Sequence, residues 1–201
     1  MHPTLLASLA TRDDSRALRI GEKIGAVGFV TACTAAAAQI SIALPFTPVP
    51  FTFQPMVVLV GAAALGARLG MASQILYLLL GLAGLPVFAA SPLLPQGAAR
   101  LFGPTGGYLI AYPLAAFVTG WLAERGFDRR YLTAVVAMAS GLAVIFAGGL
   151  SWLMVVLRPV DGFAGALRAG FTPFIAGDLI KLMVAAGVMP SLWWLTASRD
   201  R

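Results

Sequence analysis

Two opposite charges near the C-terminal end of the chain are the residues best suited to chemistry. Asp178 and Lys181 lie inside the apolar run 171–196. Residues three apart share one face of a helix and can form an ion pair. Each charge costs roughly 2.5–3.5 kcal/mol at the centre of a membrane helix, so charges there usually serve function. The pair predicts the polar end of a pocket, where the carboxylate accepts ligand N–H groups and the ammonium binds an acceptor or carboxylate. The alternative is a structural ion pair that fixes helix packing.

Residues 45–55 form a proline-rich segment with the sequence PFTPVPFTFQP. Its prolines forbid a regular helix and favour a stiff, extended backbone. Its apolar and aromatic side chains suit a cover over a mostly apolar ligand. A plain connection between two helices would explain the same composition, and composition alone does not separate the two interpretations.

Residues 103–109, with the sequence GPTGGYL, precede another apolar run. Proline and threonine suit the first turn of a helix, and the glycines would let a ligand approach backbone N–H groups. A tight turn with close helix contacts would use the same residues. Arg100, just before this motif, could pair with a ligand carboxylate, although a solvated loop arginine is the simpler reading.

Small residues mark one face of the first apolar run. Ala32 and Ala36 are four apart within an alanine-rich stretch. Such small-xxx-small faces allow close helix packing in lipid. Internal packing is the default interpretation, and docking of a partner subunit is the alternative.

Common catalytic and metal-binding patterns are missing from the sequence. The only histidine is His2, the only cysteine is Cys33, and the only lysines are Lys23 and Lys181. A phosphate-binding P-loop, a Ser–His catalytic pair and a histidine-based metal site are therefore excluded. We predict no catalytic residue, no metal site, no cofactor and no enzymatic activity.

Composition places these residues in a membrane. Of 201 residues, 59% are hydrophobic and 11% are charged, whereas soluble domains carry about 25% charged residues. Continuous apolar runs must be helical in hydrocarbon, because the backbone has to satisfy its own hydrogen bonds there. We predict an all-α integral membrane fold with six transmembrane helices, at residues 24–44, 56–67, 69–85, 106–122, 131–157 and 171–196.

The basic residues predict the orientation of these helices. With both termini cytoplasmic, the three external segments hold only Arg100, Arg158 and Arg168, and the internal segments hold Arg12, Arg16, Arg19, Lys23, Arg68, Arg125, Arg129, Arg130, Arg199 and Arg201. This asymmetry follows the positive-inside rule and argues against a nucleic-acid-binding face. We predict a cytoplasmic tail at residues 1–23, one membrane domain at residues 24–197 and a cytoplasmic tail at residues 198–201.

Four motifs together resemble the BioY family, the biotin-binding S components of energy-coupling-factor transporters. They are PVPFTFQ at 48–54, GLPVFA at 84–89, GPTGGYL at 103–109 and Asp-x-x-Lys at 178–181. The resemblance covers about residues 24–197. Pro55 departs from it, because a threonine would be expected after Gln54.

The resemblance implies an S component in the bacterial cytoplasmic (inner) membrane that binds biotin from outside. Its partners would be a transmembrane coupling protein and two ABC-type ATPase subunits, with Ala32 and Ala36 docking on the coupling protein. The implied substrate-binding residues are Asp178, Lys181, Arg100, Phe51, Gln54, Thr105 and Tyr108.

Two other functions fit the same residues. A self-contained secondary transporter of a small carboxylate-bearing solute could use Asp178 and Lys181 as a proton relay. A membrane scaffold without a ligand could use them to hold helices together. An apolar pocket with few convergent polar groups suits biotin, but the sequence does not assign either end of the ligand to a residue.

Overall fold

The computed structural model describes residues 4–9, 16–91, 94–157 and 162–197. Within these ranges the chain is almost entirely helical, with one small β-hairpin. The elements, in chain order, are α1 (Leu5–Leu9), α2 (Arg16–Gln39), β1 (Ser41–Ile42), β2 (Phe51–Thr52), α3 (Gln54–Leu65), α4 (Ala67–Leu82), α5 (Ala99–Phe102), α6 (Gly106–Ala123), α7 (Tyr131–Val156), α8 (Gly162–Gly170) and α9 (Ile175–Ala197).

The distribution of side chains is that of a membrane protein. Large hydrophobic residues point outward, including Phe29, Leu132 and Trp194, and small residues such as Ala115 and Ala185 are fully buried. Lipid tails solvate the large apolar groups, whereas small groups let helix backbones approach each other. The outer surface therefore suits hydrocarbon.

Four of the described helices are long and apolar enough to cross a bilayer: α2, α6, α7 and α9. The apolar helices α3 and α4 are shorter, with 12 and 16 residues. At 1.5 Å per residue α3 is about 18 Å long, which is less than a hydrocarbon core of about 30 Å. The helical class is confirmed, and the number of six crossings stays a prediction.

Helix α6 lies at the centre and packs against α3, α4 and α7. Helix α2 covers α3 and α4, and α9 covers α3 and α7. The chain turns back between α3 and α4 at Gly66, whose φ of 87° is accessible mainly to glycine. Gly120 of α6 packs directly on this turn, because a Cβ there would overlap the backbone of Gly66.

The helix boundaries refine the sequence-based expectations. Helix α3 begins at Gln54 with Pro55 in its first turn, where proline lacks only an N–H that has no helical partner. Pro55 therefore suits the start of α3. Helix α2 begins at Arg16, within the predicted N-terminal tail. The helix therefore includes polar residues that precede the first apolar run.

Two structural features were not expected from the sequence. The proline-rich segment closes a hairpin in which Ser41 pairs with Thr52 and Ile42 with Phe51. Residues Gly162–Gly170, expected to be loop, form α8. A helix of nine residues is too short to be stable on its own, so packing against α7 stabilises this conformation.

Several residues used to predict orientation lie outside the described residues: Arg12, Arg158, Arg199 and Arg201. The C-terminal tail 198–201 lies outside them as well.

Candidate functional site

A cavity opens between the proline-rich segment, the N-terminal parts of α3, α6 and α9 and the middle of α7. Its empty volume, which includes space open to solvent at the mouth, is about 590 Å³. Its apolar wall includes Val49, Leu109, Ile145, Phe146 and Phe174. Its polar and charged lining consists of Thr52, Gln54, Arg100, Thr105, Tyr108, Tyr112, Asp178 and Lys181.

The ion pair closes one end of this cavity. Lys181 Nζ donates to Asp178 Oδ1 over 2.7 Å and to the Thr52 carbonyl over 2.6 Å. It also lies 3.4 Å from the centroid of the Phe51 ring, within the range of cation–π attraction. Both charged side chains are almost fully buried. Lys181 is thus held by α9 and by the hairpin, and the second carboxylate oxygen of Asp178 can still accept a ligand N–H.

The hairpin and the proline-rich segment cover the cavity through three contacts. Phe51 stacks on Phe174 with ring centroids 6.4 Å apart. The Thr47 hydroxyl donates to the Ala169 carbonyl at the end of α8 over 2.6 Å, and β2 receives the hydrogen bond from Lys181. The cover is therefore fastened to both α8 and α9.

Gln54 enters the cavity at the start of α3 and is held by polar neighbours. Its Nε2 donates to the Tyr77 hydroxyl over 2.6 Å, and Tyr77 donates to the Val87 carbonyl over 3.0 Å. The Thr52 hydroxyl donates to Gln54 Oε1 over 3.3 Å. Gln54 and Tyr77 are both buried, so these bonds fix the orientation of the amide.

Arg100 lies on α5 with 1% of its surface exposed. One terminal nitrogen donates to the Ala89 carbonyl over 2.5 Å and the other to the Pro95 carbonyl over 3.3 Å. Its buried Nε has no hydrogen-bond partner among the described residues. Burial lowers the pKa of Arg100, yet a guanidinium remains protonated in proteins. Arg100 is therefore a buried cation with a spare donor beside the cavity, and the interpretation as a solvated loop arginine is wrong.

The glycine motif at 103–109 brings two polar side chains to the cavity. A Cβ at Gly106 would overlap the Leu101 carbonyl, and one at Gly107 would overlap Trp152, so close helix contacts explain these glycines. The buried Thr105 hydroxyl has no partner within the described ranges. The Tyr108 hydroxyl donates to the Gly170 carbonyl over 2.8 Å and thereby ties α6 to α8.

The structure brings six of the seven predicted ligand residues to the cavity wall. The seventh, Phe51, lies behind Lys181 and contacts its ammonium instead. Ala32 and Ala36 do not line the cavity. Both are exposed on α2, on a different face from buried Thr34 and Ala38. Their default interpretation, internal packing, is therefore wrong.

Several residues of the site were not singled out in the sequence. Tyr112 lies one turn after Tyr108 and also lines the cavity, a spacing that could have identified it. Thr52 contributes its backbone carbonyl, which no side-chain pattern reveals. Tyr77 does not line the cavity and acts on it through Gln54.

Comparisons with known proteins agree with this architecture. The sequence model of the BioY family matches residues 11–198. The biotin transporter BioY of Thermotoga maritima is 42% identical over 159 residues, which cover 79% of this chain and 88% of that protein. The probable biotin transporter BioY of Pyrococcus horikoshii is 38% identical over 164 residues, covering 82% and 91%.

A solved structure shares the fold. It is a crystal structure of the S-component for biotin from an ECF-type ABC transporter, with a TM-score of 0.76 and 24% sequence identity. The superposition covers 90% of this chain and 94% of the other. At this identity the likeness establishes the fold alone.

Proposed function

Since the chain belongs to the BioY family, we propose that it is a multi-pass membrane protein that binds biotin and serves biotin uptake. Its relatives are named as biotin transporters and not as enzymes. One observation of the structure carries the proposal: an apolar cavity beside a buried ion pair, whose lining residues include Arg100 and Thr105, each with a buried polar atom that has no hydrogen-bond partner among the described residues.

The charge of the cavity fits a monoanion. Among the described residues its charged lining is Asp178, Lys181 and Arg100. Asp178 and Lys181 neutralise each other, so Arg100 supplies one positive charge in excess. A ligand with one carboxylate restores neutrality, which matters because unpaired buried charges are costly. Biotin carries one carboxylate on an apolar body.

The hydrogen-bonding groups suggest how biotin is oriented. Lys181 already donates to Asp178 and Thr52, whereas Arg100 has a free N–H. Arg100 is therefore the better partner for the carboxylate. The second oxygen of Asp178 and the amide of Gln54 then face the ureido group, which offers two N–H donors and one acceptor oxygen.

The remaining site residues have supporting roles in this arrangement. The Phe51 ring stabilises the Lys181 ammonium by a cation–π contact. Thr105 and Tyr108 line the cavity wall. This assignment rests on their positions and on the chemistry of the ligand.

We further propose that the protein works with a transmembrane coupling subunit and two ATPase subunits in the cytoplasmic membrane of a bacterium. The shared fold supports this, because the solved neighbour is described as an S-component of an ECF-type ABC transporter. Ala32 and Ala36 are exposed on α2 and present a flat surface to a partner helix. Six crossings with both termini inside agree with the basic residues near Arg68 and Arg125.

Equilibrium binding of radiolabelled biotin to the purified protein tests the proposal. The wild type is expected to bind, and Asp178→Asn and Lys181→Ala are expected to lose most affinity, because each leaves its partner charge buried and unpaired. Ser140→Ala, at a half-buried position of α7 that does not line the cavity, is the control. A wild type that binds no biotin, or two variants with unchanged affinity, would contradict the proposed site.

A further inference from the structure

Tyr77 is fully buried and lies outside the cavity, yet it is joined to the cavity by hydrogen bonds. It stands on α4 and packs edge-on against Phe88 with ring centroids 5.6 Å apart. Its hydroxyl lies 2.6 Å from Gln54 Nε2 and 3.0 Å from the Val87 carbonyl. Packing explains the ring of this residue, but an apolar ring would serve packing as well as a phenol.

A tyrosine hydroxyl has one proton, and its two neighbours determine where that proton goes. The Val87 carbonyl can only accept, so the proton of Tyr77 is donated to it. The hydroxyl oxygen is then left as an acceptor, and Gln54 must turn its NH₂ group toward it. Tyr77 therefore excludes the flipped amide.

The opposite side of the amide shows what this orientation achieves. With the NH₂ group toward Tyr77, Gln54 Oε1 points to the Thr52 hydroxyl, which donates to it over 3.3 Å. Gln54 and Thr52 both line the cavity, and the Thr52 carbonyl is the group that receives Lys181. One chain of hydrogen bonds thus runs from Val87 through Tyr77, Gln54 and Thr52 to the ion pair.

From this chain we propose that Tyr77 is a positioning residue for ligand selection, which fixes the Gln54 amide so that its carbonyl oxygen is available to an N–H group of the ligand. The inference rests on the proposed function and deepens it. Without the phenol the amide can flip and present NH₂ instead of oxygen, so a ligand that offers N–H donors loses its advantage. Buried, oriented polar groups discriminate strongly against ligands that cannot pair with them.

A double-mutant cycle on biotin affinity tests the proposal. Tyr77→Phe keeps the ring and its contact with Phe88 and removes only the hydroxyl. We expect roughly tenfold weaker biotin binding, since a buried hydrogen-bonding group is left misoriented. In the background of Gln54→Leu, which itself weakens binding, the same Tyr77→Phe change should have no further effect, because the residue that it positions is gone.

Selectivity provides a readout that a purely structural role would not change. We expect wild type to prefer biotin over an analogue methylated on a ureido nitrogen, and Tyr77→Phe to reduce that preference. Tyr131→Phe is the matched control, because Tyr131 is exposed at the start of α7 and does not line the cavity. Among the described residues its hydroxyl donates to the Met183 sulfur. It should leave both affinity and preference unchanged.

The outcomes separate this inference from the proposed function. If wild type binds no biotin, the proposed function fails. If wild type binds but Tyr77→Phe or Gln54→Leu leaves affinity unchanged, or if the two substitutions act additively, the inference alone is overturned. Should Tyr77→Phe fail to fold, the double variant, in which both polar partners are replaced together, is compared with Gln54→Leu. Equal affinities then support the proposal, and a weaker double variant refutes it.

Discussion

At the level of single side chains, Arg100 combines two tasks that usually fall to separate residues. Its terminal nitrogens hold the carbonyls of Ala89 and Pro95, on the segment between α4 and α5. Its Nε remains unpaired beside the cavity. A guanidinium can do both because its five N–H groups point in fixed, separate directions, which an ammonium cannot reproduce.

Arg100→Gln is expected to abolish the preference for a charged ligand. Wild type should bind biotin more tightly than biotinamide, which lacks the carboxylate charge. In the variant the ratio of the two affinities should fall roughly ten- to hundredfold, because a hydrogen bond to a charged group is lost. Competition of each compound against labelled biotin measures it. Arg168→Gln removes an exposed charge from α8 and should keep the ratio, whereas an unchanged ratio in Arg100→Gln would remove Arg100 from the carboxylate site.

The sequence predicted these side chains with uneven success, for physical reasons. Asp178 and Lys181 were identifiable because charges are expensive in an apolar run. Tyr112 and Tyr77 were overlooked, because a tyrosine is common in membrane helices and its hydrogen bonds depend on tertiary neighbours. The Thr52 carbonyl could not be predicted, since every residue has one.

Among the elements, α8 supports the cavity without lining it. The Thr47 hydroxyl in the proline-rich segment bonds the Ala169 carbonyl at the end of α8, and Tyr108 bonds the Gly170 carbonyl beside it. Neighbouring carbonyls at the end of a helix lack partners within it. The C-terminal end of α8 therefore holds the cover on one side and the cavity wall on the other.

Thr47→Val is expected to speed the release of biotin. Valine has the shape of threonine but can neither donate to the Ala169 carbonyl nor accept from the Val49 N–H. Losing these two hydrogen bonds, each worth about 0.5–1.5 kcal/mol, should increase the dissociation rate at least roughly threefold, with a smaller effect on association. Chase experiments with unlabelled biotin give this rate. Thr133→Val, at a half-buried position in the first turn of α7, is the control. An unchanged rate in Thr47→Val would show that the Thr47 hydroxyl does not hold the cover.

The elements themselves were predictable wherever hydrophobic runs were long. The ranges of α6 and α7 agree with the apolar runs to within a residue at each end, because such runs have no alternative to helix in hydrocarbon. The hairpin was missed because each strand has only two residues. Helix α8 was missed because a helix of nine residues is not stable alone and depends on packing against α7, which the sequence does not show.

For the whole molecule, the cavity and the proposed docking face lie on different elements. The cavity is built from the N-terminal parts of α3, α6 and α9, the middle of α7 and the hairpin. Helix α2 contributes no residue to the cavity wall, and its face with Ala32 and Ala36 is exposed. A surface outside the cavity can change without altering the cavity, so ligand binding and docking should be separable by mutation.

Replacing Ala32 and Ala36 by leucine is expected to disrupt docking of the partner without affecting ligand binding. The larger side chains would keep a partner helix at a distance, since close approach depends on small residues. We expect unchanged biotin affinity in the isolated protein but loss of co-purification with the coupling and ATPase subunits and of biotin uptake in cells. Ala143 and Ala147 are also exposed and four apart, on α7, so leucine at those positions is the matched control. Retained co-purification with leucine at 32 and 36 would show that the partner docks elsewhere.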